Sequence, residues 1–231
     1  MAGGTDLERV AALSEPNRRR VYEQLSRESE PVTRKHLADA VDIPENLVTF
    51  HLERLAEAGV VRVLAAQRGP GLRGRPARRY EVAQDEVSAS LPPRRYDVLA
   101  EVLALAEREQ RDGETFLEAA RRVAFGHGRQ VGEQALQADR VGRRGMTQQV
   151  WQLLALLGYQ PRRTGRSVVL DNCPFNRLRS TNTPLVCGVN HALAQGYLLG
   201  IEADSRLAAE LDPTPERCCV VIRTAPAAAA S

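Results

Sequence analysis

The sequence predicts a mainly helical protein with α+β parts: an N-terminal winged helix-turn-helix, a helical segment and a small C-terminal α+β domain. Three observations predict this fold class. Residues 33–82 contain two short helical patterns, a β-branched run, a basic hairpin tip and a returning strand. Residues 94–140 carry apolar side chains at helical spacing, a pattern that Gly126 and Gly128 are expected to interrupt. Residues 141–225 follow the order helix, strand, strand, helix, strand, which is typical of an α+β domain.

The same patterns predict the domain boundaries. The winged helix is expected over residues 1–84. The polar run 85–93 has no periodicity and includes two prolines, so it is the expected linker. The helical segment 94–140 and the α+β domain 141–225 follow, and residues 226–231 are expected to form a disordered tail.

Two helices are expected in the first 30 residues. The apolar residues that mark them at helical spacing are Leu7, Val10, Val21 and Leu25. Ser14 is the expected N-cap of the second helix, because Pro16 follows it and proline is favoured in a first turn.

A helix-turn-helix pattern comes next. Thr33 is expected to cap the first of its helices, and a tight turn at residues 42–43 separates the two. Pro44 suits the first position of the second helix because it lacks an amide proton that would go unpaired there. Gly59 ends that helix. Its core-facing residues are expected to be Leu47, Val48, Leu52 and Leu55, and its outer residues Glu45, Asn46, Thr49, Phe50 and Arg54.

The second helix is followed by a predicted β-hairpin with a basic tip. Residues 60–64 and 80–82 would pair around five arginines and no acidic residue: Arg68, Arg73, Arg75, Arg78 and Arg79. Such a tip suits phosphates or a minor groove, and a helix with short polar residues in its first turns suits the major groove. The alternative is a helical domain with a solvated basic loop. The helix-turn-helix pattern followed directly by the basic hairpin argues against this alternative. The candidate DNA-binding residues are Arg34, Pro44, Glu45, Asn46, Thr49, Phe50, Arg54, Arg68, Arg73, Arg75 and Arg78.

The N-terminal third resembles a known class of regulators. The run LERVAALSEPNRRRVYEQL, the helix-turn-helix, HLERLAEAGVV and the basic wing are similar to the winged-helix regulators of the ArsR type. The resemblance implies a transcriptional regulator that binds double-stranded operator DNA. Such regulators usually bind two half-sites as homodimers, and the helical segment 94–140 is the expected dimer contact. Packing within one chain is the alternative.

Composition limits the other classes of function. The net charge of +3 is small, and the first 90 residues hold 14 basic and 14 acidic residues, so DNA affinity must come from local placement of charge. No apolar run approaches the roughly 20 residues that span a bilayer, and no signal peptide is evident, so we expect a cytoplasmic protein. No catalytic triad, phosphate loop or paired carboxylates stand out, and we expect no enzyme activity.

Four cysteines are concentrated in the last third of the chain: Cys173, Cys187, Cys218 and Cys219. In a cytoplasmic protein this favours a metal or redox site over disulfides. His191 lies four residues after Cys187, on the same face of a predicted helix, and is a further candidate ligand. Consecutive strand residues point to opposite faces, so only one of Cys218 and Cys219 is expected in a shared site. Burial of each cysteine as a small apolar residue is the alternative.

A second resemblance concerns these cysteines. NCPFNRLRSTNTPLVCGVN and RCCVVI are similar to the C-terminal end of SufR-like regulators, the winged-helix repressors of iron–sulfur assembly operons. The resemblance implies an iron–sulfur cluster held by Cys173, Cys187 and Cys219, completed by His191, Cys218 or an outside ligand. The chain departs from the family in two ways: one family cysteine is missing, and the last is doubled. Zinc is the alternative metal.

The sequence therefore predicts a homodimeric DNA-binding repressor whose DNA affinity depends on a cluster or metal in a C-terminal sensor domain. The alternative is a regulator with a small-molecule pocket in that domain, lined by Trp151, Leu154 and Tyr197, with structural zinc or no metal. A visible absorption spectrum would separate the two, because iron–sulfur proteins are coloured and zinc proteins are not.

Overall fold

The computed structural model describes residues 6–64, 77–83, 87–138, 145–165, 167–214 and 216–225. It shows the predicted mixture of helices and small sheets, divided into two compact units at residues 1–90 and 91–231. Within the described ranges, no helix is both long enough and apolar enough to cross a membrane. Arg68, Arg73, Arg75 and the expected tail 226–231 lie outside the described residues.

The first unit is a winged helix-turn-helix. Its elements are α1 Asp6–Ala12, α2 Pro16–Leu25, β1 Val32–Thr33, α3 Arg34–Val41, α4 Glu45–Glu57, β2 Val61–Leu64 and β3 Arg79–Val82. The strands form an antiparallel sheet in the order β1-β3-β2. We predicted only the β2–β3 hairpin. The two-residue strand β1 is added because Val32 pairs with Tyr80, a contact between distant parts of the chain that has no local signal.

The local signals of the helix-turn-helix are present in the structure, with two shifts. Thr33 caps α3 and accepts a hydrogen bond from the His36 amide at 3.3 Å, and Gly59 follows α4 with a φ of 75°. Pro44 occupies the N-cap of α4 rather than its first helical position. The predicted cap Ser14 is wrong, because the Glu15 carboxylate caps α2 by accepting from the Asn17 and Arg18 amides.

The core of the first unit is formed by α2, α3, α4 and the inner residues of the sheet. Of the four α4 residues expected in this core, Val48, Leu52 and Leu55 are buried and Leu47 is half-buried. His51 joins them on the inner face of α4. The other buried apolar residues are Val21, Leu25, Leu37, Ala38, Val41, Ile43, Val60, Val61 and Tyr80.

The second unit packs helices against a four-stranded sheet. Its elements are α5 Tyr96–Arg108, α6 Phe116–Gln137, α7 Met146–Leu156, β4 Pro161–Thr164, β5 Ser167–Leu170, α8 Asn176–Arg179, α9 Thr183–Gly200, β6 Leu207–Leu211 and β7 Val220–Thr224. All neighbouring strands are antiparallel, in the order β4-β5-β7-β6. Strand β6 was not predicted. It pairs along β7 from Leu207 opposite Thr224 to Leu211 opposite Val220.

Helices α6 and α9 approach closely through glycine. We predicted that Gly126 and Gly128 interrupt the helical pattern, but α6 runs unbroken through both. A Cβ added at Gly128 would overlap the Leu193 backbone, and one at Gly132 would lie 2.8 Å from the Tyr197 carbonyl oxygen. The glycines therefore allow close contact between the helix backbones rather than ending the helix.

The helices of segment 94–140 share one hydrophobic core with the predicted α+β domain. Val102 on α5 and Ala120 on α6 are buried in the same cluster as Leu153 on α7, Leu193 on α9 and Ile222 on β7. These helices and the later elements therefore belong to one compact unit. Helix α6 packs against α5 and α9 within the chain.

Candidate functional site

The outer face of α4 presents the polar surface expected of a recognition helix. Glu45, Asn46 and Phe50 are exposed, while the Thr49 hydroxyl is half-buried and donates to the Glu45 carbonyl at 2.8 Å. Pro44 is exposed at the start of the helix. The face therefore offers an amide, an aromatic ring and a hydroxyl in its first two turns, which are groups that read base edges in a major groove.

Ion pairs hold the two arginines that flank this face. Arg34 Nε lies 2.6 Å from Glu45 Oε1 and links the starts of α3 and α4. Arg54 lies over the Phe50 ring, 5.4 Å from its centroid, and contacts the Glu57 carboxylate at 2.8 Å. These contacts orient the guanidinium groups while leaving both arginines exposed. The charged groups beside the outer face of α4 are thus held by contacts within the protein.

The described part of the wing is basic. Arg78 and Arg79 are exposed before and at the start of β3. Across the hairpin, Arg62 pairs with Glu81 at 3.1 Å. Exposed arginines at this position are suited to phosphate contacts, which position a protein on DNA without reading its sequence.

A buried histidine lies on the inner face of α4, and our sequence reasoning missed it. His51 is 3% exposed, and its Nδ1 lies 3.5 Å from Oε2 of Glu15, the residue that caps α2. The hydrogen bonds from the Arg18 and Asn17 amides outweigh the effect of burial and lower the pKa of Glu15. The signal was available, because His51 lies three residues after Val48 and therefore on the core face of α4.

The four cysteines converge in the second unit. Cys173 follows β5, Cys187 lies on α9, and Cys218 and Cys219 directly precede β7; all four are free and buried. Their thiols contact one another in the order Cys173, Cys218, Cys219 and Cys187. The predicted meeting of thiols from distant segments is therefore present.

Both members of the cysteine pair enter this group, so our expectation that only one could do so is wrong. Strand β7 begins at Val220, and the two cysteines precede it in irregular backbone, where the alternation of a strand does not apply. The Cys218 amide donates to the Leu170 carbonyl at 2.9 Å, and the Cys219 carbonyl accepts from the Asp212 amide at 2.7 Å.

One buried amide points at three of the sulfur atoms. Asn190 Nδ2 lies 3.1 Å from Cys218 Sγ, and 4.0 Å from both Cys173 Sγ and Cys219 Sγ. Its Oδ1 accepts a hydrogen bond of 2.6 Å from the buried Tyr159 hydroxyl, which fixes the orientation of the amide. Sequence reasoning missed Asn190, although it lies on α9 three residues after Cys187.

The protonation of the thiols is uneven. Hydrogen bonds from Cys187 and Cys218, together with the Asn190 amide, lower the pKa of Cys219 to about 3. Hydrogen bonds to Cys173 and Cys219, together with burial, raise the pKa of Cys218, and the bond to Cys219 and burial raise that of Cys187. The bond from Cys218 also lowers the pKa of Cys173. The group therefore favours a thiolate at Cys219, which Cys187, Cys218 and Asn190 stabilise.

His191 contacts a different part of the unit. Its Nε2 lies 2.8 Å from the Ala209 carbonyl oxygen on β6. Because a carbonyl can only accept, Nε2 carries the proton and donates it there. This contact occupies Nε2, so only Nδ1 remains for the ligand role predicted for His191.

The four thiols are suitable metal ligands, but their present positions do not form a metal site. Four sulfur donors with an amide donor beside them match the ligands of zinc and of iron–sulfur clusters. Among the described residues, however, no three His, Cys, Asp or Glu side chains are arranged to hold a metal ion. Binding would require the sulfur atoms to move from contact with each other to positions around the ion.

Comparison with known proteins bears on the first unit. A family model described as a helix-turn-helix domain matches residues 13–63, which include α2, α3 and α4. No curated protein matches the chain. The family match and the exposed face of α4 support a winged-helix, DNA-binding transcriptional regulator.

Proposed function

We propose that this protein is a homodimeric, sequence-specific repressor whose affinity for operator DNA is controlled by an iron–sulfur cluster or metal bound at Cys173, Cys187, Cys218 and Cys219. The observation that carries the proposal is the convergence of these four buried thiols with the Asn190 amide. A set of four unrelated buried cysteines would have no reason to meet at one point.

The DNA-binding part of the proposal rests on α4 and the wing. Asn46 and Thr49 would contact base edges, as would Phe50, whose exposed ring offers an apolar contact for a thymine methyl group. Arg34, Arg54 and Arg78, with the wing arginines 68, 73 and 75, would contact phosphates. Two copies of the chain would place two recognition helices on successive turns of the operator.

Control of DNA binding would follow from linkage between the two units. A bound centre changes DNA affinity only as far as its own binding energy differs between the DNA-competent and DNA-incompetent conformations. Thiolate ligands make that binding sensitive to oxidation, and Cys219 already favours the thiolate form. The four cysteines would supply the sulfur donors, and the residues packed around them would keep those donors buried.

The test begins with protein purified without air. Iron, acid-labile sulfide and zinc would be measured in wild type and in variants with Cys173, Cys187, Cys218 or Cys219 singly changed to serine. We expect bound metal in the wild type and a loss in each variant. His191→Gln is the matched control on α9, because its ring contacts a backbone carbonyl, and it is expected to keep the metal.

These measurements distinguish an iron–sulfur cluster, a zinc centre and the absence of a metal. Visible absorbance with equimolar iron and sulfide would identify a cluster, and colourless protein with zinc would identify a zinc centre. Colourless protein without metal, which also takes up neither iron and sulfide nor zinc on reconstitution, would refute control by an inorganic centre and leave the DNA-binding function intact.

A further inference from the structure

The second unit contains a cavity that is separate from the cysteines. Its volume is about 360 Å³, and it lies between α5, α6, α7 and α9. This volume is within the range of small-molecule sites, roughly 300–1,000 Å³. None of the four cysteines lines it.

The lining combines apolar walls with hydrogen-bond donors. Much of the apolar surface comes from Val98, Val131, Leu153, Leu156 and Leu157. The polar lining residues are Arg95, His127, Gln134 and Tyr197, and no Asp or Glu is among the described residues that border the cavity. Such a lining favours a ligand with an apolar body and a negatively charged or hydrogen-bond-accepting group.

Tyr197 gives the strongest indication of a ligand. The residue is only 4% exposed and lines the cavity, and its hydroxyl makes no hydrogen bond to the described residues. A hydroxyl that borders a cavity in this way is free to donate to an acceptor bound there. Burial also raises the pKa of Tyr197, so the hydroxyl stays protonated and can only gain from an acceptor placed in the cavity.

Arg95 supplies a positive charge at the same place. The charges of Arg95 and Asp97 both act on the Tyr197 hydroxyl, in opposite directions, and the Arg95 guanidinium pairs with the exposed carboxylate of Asp97 at 3.0 Å. This ion pair is itself partly exposed, so a second carboxylate can share the guanidinium, which has five N–H donors.

We propose that this cavity binds a small organic carboxylate whose apolar body packs against the leucines and valines of α5, α6 and α7. Its carboxylate accepts hydrogen bonds from the Tyr197 hydroxyl and the Arg95 guanidinium. The site is independent of the cysteines, and the proposal stands whether or not they bind a metal.

The experiment uses the full-length protein and octanoate as the probe, with octan-1-ol as the uncharged counterpart. Binding would be measured by isothermal titration calorimetry and by the fluorescence of Trp151, the only tryptophan, which lies on α7. We expect saturable binding of one octanoate per chain. Octanol is expected to bind at least about tenfold more weakly, because hydrogen bonds to a charged group are the stronger ones.

Two variants test the assigned contacts. Tyr197→Phe removes only the hydroxyl and is expected to weaken octanoate binding about tenfold. Arg95→Gln is expected to weaken octanoate at least as much and to leave octanol unchanged. The matched control is Arg108→Gln, because Arg108 lies on α5 and also pairs with an acidic neighbour, Glu109 at 2.9 Å, yet does not line the cavity.

Several results would overturn the proposal. These are the absence of saturable octanoate binding, equal affinity for octanoate and octanol, and an Arg95→Gln effect no larger than that of Arg108→Gln. Retention of full octanoate affinity in Tyr197→Phe would also overturn it, since this variant keeps the shape of the cavity.

Discussion

The packing of α6 against α9 makes a quantitative prediction, because two glycines of α6 lie in opposite environments. A Cβ at Gly132 would lie 2.8 Å from the Tyr197 carbonyl oxygen and 2.9 Å from Gly200 Cα, both backbone atoms of α9. A Cβ at Gly126 would meet no atom within 4 Å. The same substitution on one helix should therefore have effects of opposite sign.

The magnitudes follow from two competing terms. Alanine is favoured over glycine inside a helix by about 0.8–1 kcal/mol, and Gly126→Ala should increase the free energy of unfolding by about that amount. Gly132→Ala gains the same term. However, α9 must then move by at least about 0.6 Å to reach ordinary contact, and overpacking of this kind costs about 1–3 kcal/mol or more. The net effect should be a loss of up to about 2 kcal/mol.

Urea unfolding followed by Trp151 fluorescence would measure both variants, since Trp151 packs against the core of the second unit and reports on that unit. The reasoning would be refuted if Gly132→Ala were as stable as Gly126→Ala. A lower stability for Gly126→Ala than for wild type would also contradict it.

Three further predictions concern DNA binding, the thiol group and pH. Asn46→Ala should reduce the discrimination between bases at one operator position by about 1–3 kcal/mol, which selection from random oligonucleotides would measure. Arg78→Ala should weaken binding to all sequences alike and lower the slope of log affinity against log salt by about one, which salt titrations would measure. Identical behaviour of the two variants would contradict these assignments. Asn190→Leu should lower the free energy of unfolding by about 1–3 kcal/mol, because a buried hydroxyl and the buried sulfurs lose their partner, and an unchanged urea midpoint would contradict this. The hydrogen bond from Arg122 lowers the pKa of Glu114 from 4.5 to about 2; its stabilising effect should be complete above about pH 4.5 and be lost as the pH falls towards 2, so Arg122→Gln should remove this part of the acid sensitivity in pH-dependent unfolding.

The features that sequence predicts well here are those that depend on neighbouring residues. The Thr33 cap, the turn before Pro44 and the stop at Gly59 each need only a few adjacent residues, and all three are present in the structure. The apolar spacing of α4 likewise predicts burial of Val48 and Leu52, because helical periodicity is a local property.

Tertiary contacts could not be predicted in the same way. The sequence alone predicted that the glycines of α6 interrupt the helix. Their role is to allow contact with the backbone of α9, which lies more than 50 residues away in the sequence. The entry of both Cys218 and Cys219 into the thiol group depends on where β7 begins, which is set by pairing with β5 and β6. Asn190 could not be assigned to the site from the sequence, because its contact with Cys218 depends on how α9 packs against the ends of β5 and β7.

The central claim is that the four cysteines control DNA binding by the N-terminal unit. The most direct measurement is the affinity for a selected operator, without air and at fixed salt, of wild-type protein and of a variant with Cys173, Cys187, Cys218 and Cys219 all changed to serine. We predict that the affinity of wild type changes at least about fivefold when its bound centre is removed by a chelator or by oxidation, and that the variant is insensitive to both treatments. Equal operator affinity for wild type before and after removal of the centre would contradict the account.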